Sequence, residues 1–275
     1  MTTPVTKLEI GVVLRGAFGF VFESIPDLIR AAFIPFLVSV VVGLVFTISY
    51  SHKADLIVNP MELMADPEFF YALLFHNVAN GIASIVFACS WHRSTLLGHD
   101  SPRTGIGFFL GRLEMIYLFR FVLVVLIIVP FFFGFGVLVL PLFASFGSPL
   151  FIALGLMFMV MMVVYLYARL TLCLPAAAIG HLSFGLINSW RATSAVQWQL
   201  LLSHLVFYLI VLTGSAVAYL IISVLVALVF GSSPFLLMFA QVFILGVITF
   251  FATACATSFL SWVYGQLGEK PNWVG

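Results

Sequence analysis

Six long apolar runs follow one another along this chain of 275 residues, and none of them contains Asp, Glu or Lys. A bilayer core about 30 Å thick is crossed by roughly 20 residues of apolar helix, so each run is long enough to span it. The pattern therefore predicts an all-α integral membrane protein with about six transmembrane helices. The runs are Ala31–Tyr50, Phe69–Ser90, Phe121–Phe143, Leu150–Leu174, Leu200–Phe230 and Phe235–Val263.

A membrane β-barrel has a different pattern. Its strands are segments of about ten residues in which apolar and polar positions alternate. The six runs are apolar at both odd and even positions. Because only helices and closed barrels satisfy their backbone polar groups inside lipid, excluding the barrel leaves helices.

The distribution of basic residues predicts the orientation, since Lys and Arg near span ends are retained in the cytoplasm. In a six-span arrangement, ten of the eleven Lys and Arg residues fall on one side, and Lys53 alone falls on the other. This predicts cytoplasmic N- and C-termini, with 144–149 and 231–234 as short external turns. The remaining external loop, Ser51–Glu68, is longer and acidic.

Residues 1–30 are predicted to form a cytoplasmic interfacial helix. Its apolar face is Ile10, Leu14, Ala17, Val21, Ile25 and Leu28, stepping by three or four residues, while Lys7 and Arg15 lie on another face. Similar moderately apolar stretches, Arg103–Met115 and Gly180–Gln197, precede the third and fifth spans, which suggests a threefold repeat with short amphipathic helices on the cytoplasmic side.

Composition supports a membrane protein, with 63% hydrophobic and only 8% charged residues. The formal net charge of +1 gives no basic excess for nucleic acid, so membrane lipids are the expected partners, with other membrane proteins or a second copy as further possibilities. Cys89, Cys173 and Cys255 lie in apolar runs and are interpreted as small core residues. Charges scattered through the first thirty residues argue against a cleaved leader.

One polar cluster falls within a predicted span. His76, Asn77 and Asn80 lie in the second run, and His76 and Asn80 share a helical face at i and i+4. One interpretation is a proton- or ligand-binding site, because polar groups held in hydrocarbon commonly mark function. The other is hydrogen bonding between helices, worth on the order of 0.6 to 2 kcal/mol per contact.

Catalytic and metal signatures are missing from the sequence. The six runs contain no carboxylate for an acid–base pair, and neither a Gly-x-Ser-x-Gly elbow nor a His-Glu-x-x-His motif occurs. No cofactor, metal site or catalytic residue is therefore predicted.

The stretch from Arg169 through Pro175, His181 and Ser189 to Trp190 is the most distinctive. An Arg near a span end, an apolar step to Pro-Ala, and then a helix carrying Ser-Trp and a Thr resembles the membrane domain fused to some bacterial glycerophosphoryl diester phosphodiesterases and its stand-alone relatives. The resemblance implies the membrane part alone, since the phosphodiesterase activity of that family belongs to a separate soluble domain. Arg169 and Trp190 are expected to anchor at the interface, and Pro175 to end the fourth span.

Taken together, these features predict a single, non-enzymatic multi-pass protein, placed by the resemblance in a bacterial cytoplasmic (inner) membrane. Its expected role is membrane organisation, accessory function or lipid handling; the alternative is a small transporter or channel subunit. Lipid handling predicts a sideways groove lined by Phe and Met, whereas transport predicts a polar cavity that reaches His76 and Asn80.

Overall fold

A computed structural model describes residues 8–50, 66–98, 111–231 and 233–267. Every regular element in these ranges is helical, and six helices are long and apolar enough to cross a membrane, which confirms the predicted all-α membrane class. The helices are α1 (Ile10–Glu23), α2 (Ile25–Tyr50), α3 (Pro67–Leu97), α4 (Arg112–Ala144), α5 (Pro149–Leu170), α6 (Cys173–Ala178), α7 (Leu186–Ala192), α8 (Gln197–Phe230) and α9 (Pro234–Leu267).

Local sequence explains where two of the spanning helices begin. At the start of α3, the Asp66 carboxylate accepts hydrogen bonds from the backbone N–H groups of Glu68 and Phe69, and Pro67 occupies the first helical position. Ser148 caps α5 in the same way, followed by Pro149. Such caps satisfy N–H groups that have no partner within the helix, and proline at the first position lacks the N–H altogether.

Several spanning helices are longer than their predicted runs, mainly at one end of the bundle. Helix α3 continues to Leu97 and α4 begins at Arg112, so His92, Arg93 and Glu114 lie in helices instead of the predicted second connection. The prediction stopped at these charges because they are costly in lipid, but each is buried against protein.

The expectation that Pro175 ends the fourth span is wrong. Helix α5 ends at Leu170, and after a short turn the chain continues as α6, in which Pro175 is the third residue. Proline is tolerated there because N–H groups in the first turn of a helix have no intrahelical acceptor.

The bundle has two unlike halves. The packed half is the end at which α2, α4 and α8 begin and α3, α5 and α9 end; side chains such as Trp91, Leu200 and Leu260 are at most 4% exposed there. At the opposite end, called the open half, Leu138 and Leu228 are 76% and 78% exposed. Helix α9 is central, since it contacts α1, α2, α3, α6 and α8. None of the three cysteines forms a disulfide, and all three are buried.

Helix α1 packs along α9 at the packed half and buries Val13, Ala17 and Val21 completely. The predicted apolar face is correct at Ala17 and Val21. Two further residues of that predicted face lie on α2, where Leu28 is buried and Ile25 is 44% exposed. The buried face of α1 is the one that contacts α9. Gly16 lies so close to the Trp262 ring of α9 that a Cβ at this position would approach Cε2 to 2.6 Å.

Candidate functional site

The three polar residues predicted as a cluster in the second span do not all lie together. Asn80 Nδ2 lies 3.0 Å from His76 Nε2, so the i and i+4 pair bonds within α3. Asn77 is exposed and donates to the Leu73 carbonyl oxygen instead. The structure therefore brings together His76 and Asn80 but not Asn77.

His76 and Asn80 line a cavity of about 400 Å³ between α2, α3 and α9, called the His76 pocket. Ser39, Thr47, Ser84 and Thr249 contribute further polar groups, and Val40, Gly43, Phe46, Val242, Leu245, Gly246 and Phe250 complete the wall. The pair therefore borders a cavity, and within the described ranges it makes no hydrogen bond to a neighbouring helix.

A larger cavity of about 550 Å³, called the central cavity, lies between α3, α4, α5, α6, α8 and α9. Most of its wall is apolar, but three tyrosines from three different helices face it, namely Tyr117, Tyr167 and Tyr208. The rings of Tyr167 and Tyr208 are 6.3 Å apart between centroids. Such a wall suits a mostly apolar ligand that carries a few hydrogen-bonding groups.

The central cavity is closed at the packed half and accessible from the open half. Tyr117, Leu174 and Leu260, which line its base, are at most 4% exposed, whereas Leu212 on its rim is 66% exposed. A ligand would therefore enter from the open half or sideways between helices.

Ser84 and Thr249 line both the His76 pocket and the central cavity, so the two spaces adjoin. His76, Asn80 and Ser84 follow one face of α3 at intervals of four, and Thr249, Thr253 and Thr257 do the same on α9. The i, i+4 spacing places each set in a row along its helix. Two polar rows thus border the two adjoining spaces, from His76 toward the packed half.

Phenylalanine-lined grooves also open on the bundle surface. One of about 460 Å³ lies between α2 and α9 and includes Phe33, Phe36, Phe243, Phe250 and Phe251. Another of about 540 Å³ between α1, α8 and α9 includes Phe18, Phe22 and Phe251. Phenylalanine is present as lipid handling predicts, but neither groove has a methionine in its wall.

The motif residues near Arg169 form one cluster at the packed half. Arg169 is buried, its Nε donates to Thr193 Oγ1 over 3.1 Å, and its Nη2 donates to the Trp190 carbonyl oxygen over 2.6 Å. The Ser189 hydroxyl donates back to the Arg169 carbonyl oxygen over 2.6 Å. The expectation that Arg169 reaches for headgroups is therefore wrong: its guanidinium binds protein groups.

Of the other motif residues, Pro175 is buried within α6, and His181 Nδ1 lies 2.6 Å from the Tyr264 hydroxyl oxygen. Trp190 is 38% exposed and stacks on Arg169. These residues join the chain around α6 and α7 to the ends of α5 and α9, which is a structural role.

Two more arginines are buried at the packed half, and no sequence motif indicated their burial. Arg93 donates to Glu114 Oε1 over 2.6 Å and to the Ala178 carbonyl oxygen over 2.7 Å. Arg120 donates to the backbone carbonyl oxygens of Cys173, Leu182 and Phe184. Because arginine carries five donors in a planar fork, it can hold several carbonyl groups of a neighbouring segment at once.

Two buried hydrogen bonds also join α3 to α9 below the central cavity. His92 Nδ1 lies 2.7 Å from Ser261 Oγ, and Trp91 Nε1 donates to Ser258 Oγ over 2.8 Å. The sequence shows Ser-Trp at both helix ends, at 90–91 and 261–262, but spacing along the chain cannot indicate which of these side chains meet.

Within the described ranges, no group of three or more His, Cys, Asp or Glu side chains is arranged to hold a metal ion. In the part of the chain that the structure describes, no Asp, Glu, Lys or Arg side chain lines the central cavity or the His76 pocket. The chemistry that these walls offer is hydrogen bonding and apolar contact.

Comparison of the chain with protein-family models, with curated proteins and with solved structures finds no match. The fold establishes a multi-pass membrane protein, and an assignment of function depends on the cavities themselves.

Proposed function

We propose that this chain is a non-enzymatic membrane protein that binds a lipid-like amphiphile inside its helix bundle. The observation that carries this proposal is the central cavity, a space of about 550 Å³ with a largely apolar wall and three tyrosines. An acyl chain would contact the apolar wall, and the tyrosine hydroxyls would bond to polar groups of the amphiphile that reach into the cavity. The resemblance to the phosphodiesterase membrane domain supports a lipid-related role.

Orientation and location belong to the same proposal. The ten-to-one distribution of basic residues supports cytoplasmic termini, and the packed half carries Arg93, Arg120 and Arg169. We place the packed half at the cytoplasmic side of a bacterial inner membrane. Bilayer lipids then have access to the open half, which faces outward.

The test is to fill the central cavity. Gly81 lines it, and a Cβ at Gly81 would meet no atom within 4 Å, so Gly81→Phe adds a ring at the cavity wall from a position where the Cβ makes no clash. Gly134 in α4 is the matched control, because it is equally free of neighbours and does not line the cavity. Both proteins are purified in a mild detergent, and bound lipid is measured by native mass spectrometry.

Gly81→Phe is expected to retain roughly tenfold less bound lipid than the wild type, since it removes the space for the ligand. Gly134→Phe is expected to retain the wild-type amount. Equal retention by the two variants, or a wild type that carries no lipid, would contradict the proposal.

A small transporter or channel subunit is the second candidate, and the His76 pocket favours it. Transport predicts a polar cavity that reaches His76 and Asn80; the His76 pocket supports this candidate in part, because six polar side chains line its otherwise apolar wall and it adjoins the central cavity. In proteoliposomes, this candidate predicts faster osmotic swelling in glycerol than in protein-free vesicles. Asn80→Leu should abolish this increase in the swelling rate, and Asn77→Leu should retain it. Swelling no faster than in empty vesicles would exclude passage of a small neutral solute.

A further inference from the structure

The position of the His76 pocket limits the ligand that it can take. Asn80 is eleven residues from Phe69 and ten from Ser90, which places the pocket near the middle of the predicted second span. With a rise of 1.5 Å per residue, Asn80 is about 16 Å from either end of the span. A charge held at that depth is costly unless it is paired.

Among the residues that the structure describes, the wall of the pocket contains no Lys or Arg to neutralise a phosphate and no Asp or Glu to neutralise an amine. A zwitterionic or anionic headgroup would therefore lose its hydration without gaining a counter-charge. The head that fits this wall is uncharged.

The free hydrogen-bonding groups define the head further. The hydroxyls of Ser39, Ser84 and Thr249 bond to no other residue in the part of the chain that the structure describes. Thr47 donates to the Gly43 carbonyl oxygen, which leaves its oxygen free to accept. Asn80 has a second N–H and its amide oxygen available besides the bond to His76. The pocket thus offers donors and acceptors side by side.

Ligand hydroxyl groups match such a wall, because each of them donates and accepts at once. We infer that the His76 pocket binds the uncharged, hydroxyl-bearing head of a neutral lipid such as a diacylglycerol, while its acyl chains occupy the adjoining central cavity. This inference rests on the proposed function, which supplies the site for the chains. Ser84 and Thr249, which line both spaces, lie where head and chains meet.

The test uses three photo-reactive probes on the full-length protein in nanodiscs. One is a diacylglycerol with a diazirine in an acyl chain, the second is a phosphatidic acid with the same chains, and the third is a diazirine alkane without a head. Labelling of the wild type by diacylglycerol should be at least about tenfold stronger than labelling by phosphatidic acid. An excess of unlabelled diacylglycerol should suppress it.

Two asparagines on the same helix provide the variant and its control. Asn80→Leu removes a pocket hydrogen-bonding group and should weaken diacylglycerol labelling roughly three- to tenfold. Asn77→Leu makes the same chemical change outside the pocket and should leave labelling unchanged. If Asn80→Leu fails to fold, Ser84→Ala tests the same wall with a smaller change. Labelling by the alkane should be the same in each of these variants as in the wild type.

The outcomes separate this inference from the proposed function. Equal labelling by diacylglycerol and phosphatidic acid, or equal effects of Asn80→Leu and Asn77→Leu, would overturn the head assignment alone. Alkane labelling that persists unchanged in Gly81→Phe would instead contradict the central cavity as the site for the chains.

Discussion

The guanidinium carbon of Arg169 lies 3.5 Å from the centroid of the Trp190 ring, while Nη2 donates to the Trp190 carbonyl oxygen over 2.6 Å. One side chain thereby holds both the ring and the backbone of α7. Arg169→Lys keeps the charge but loses the planar fork and the stacking, so it should lower the free energy of unfolding by about 2 to 4 kcal/mol. Thermal unfolding in a single detergent measures the change.

Arg191→Lys is the control for that substitution. Arg191 lies next to Trp190 but its side chain is exposed. The free energy of unfolding of Arg191→Lys should lie within about 0.5 kcal/mol of the wild-type value. Similar losses for the two variants would mean that the contacts of Arg169 do not stabilise the packed half.

The ion pair of Arg93 and Glu114 is almost fully buried, with side-chain exposures of 4% and 7%. Glu114→Ala leaves a buried guanidinium without its counter-charge, and we expect a loss of about 3 to 5 kcal/mol of stability. The double variant Arg93→Met with Glu114→Leu removes both charges and should cost less than Glu114→Ala alone. Chemical unfolding of both proteins provides the comparison. A larger loss of stability for the double variant than for Glu114→Ala would contradict this expectation.

Gly16 and Gly11 form a matched pair on α1. A Cβ at Gly16 would lie 2.6 Å from the Trp262 ring, whereas a Cβ at Gly11 would meet nothing within 4 Å. Gly16→Ala should therefore destabilise by about 1 to 3 kcal/mol, while Gly11→Ala should be neutral or stabilising by about 0.5 to 1 kcal/mol. Combining Gly16→Ala with Trp262→Leu should recover part of the loss. Destabilisation of equal size at both glycines would indicate an effect unrelated to Trp262.

The orientation is tested by position-specific reporters. A reporter fused after Gly275 should be cytoplasmic, and one inserted in 51–65 should be external, because ten of eleven basic residues fall on the predicted inner side. Cysteines placed at positions 11 and 19 should react only from the cytoplasmic side. The opposite pattern would exclude the six-span orientation, and external labelling at either position would indicate an additional crossing.

The six spanning helices were predictable because length and apolarity depend on local sequence. Their ends at the packed half were not: the predicted second run stops at Ser90 and the third begins at Phe121, so both leave out Arg93 and Glu114, which the helices contain. Whether a charge lies in solvent or in a protein interior depends on partners distant in the chain, here 21 residues away. The burial of Arg169 was missed for the same reason, because its partners Trp190 and Thr193 come after α6 in the sequence.

The candidate site was predictable in part. Helical spacing placed His76 and Asn80 on one face and therefore identified one wall of the pocket. The three tyrosines of the central cavity lie on α4, α5 and α8, and no regularity of sequence relates them. A cavity is defined by the positions of helices relative to one another, which depend on tertiary packing.

The packing of α1 and α3 against α9 has a consequence for synthesis of the chain. Trp91 and His92 bond to Ser258 and Ser261, and α1 lies against the same helix, so the earliest segments meet their partners only when the last helix has been made. Until then, the polar groups of α3 need temporary partners in the translocation machinery or in neighbouring helices. A nascent chain arrested before residue 254 should therefore be susceptible to proteolysis, whereas the finished chain should be resistant.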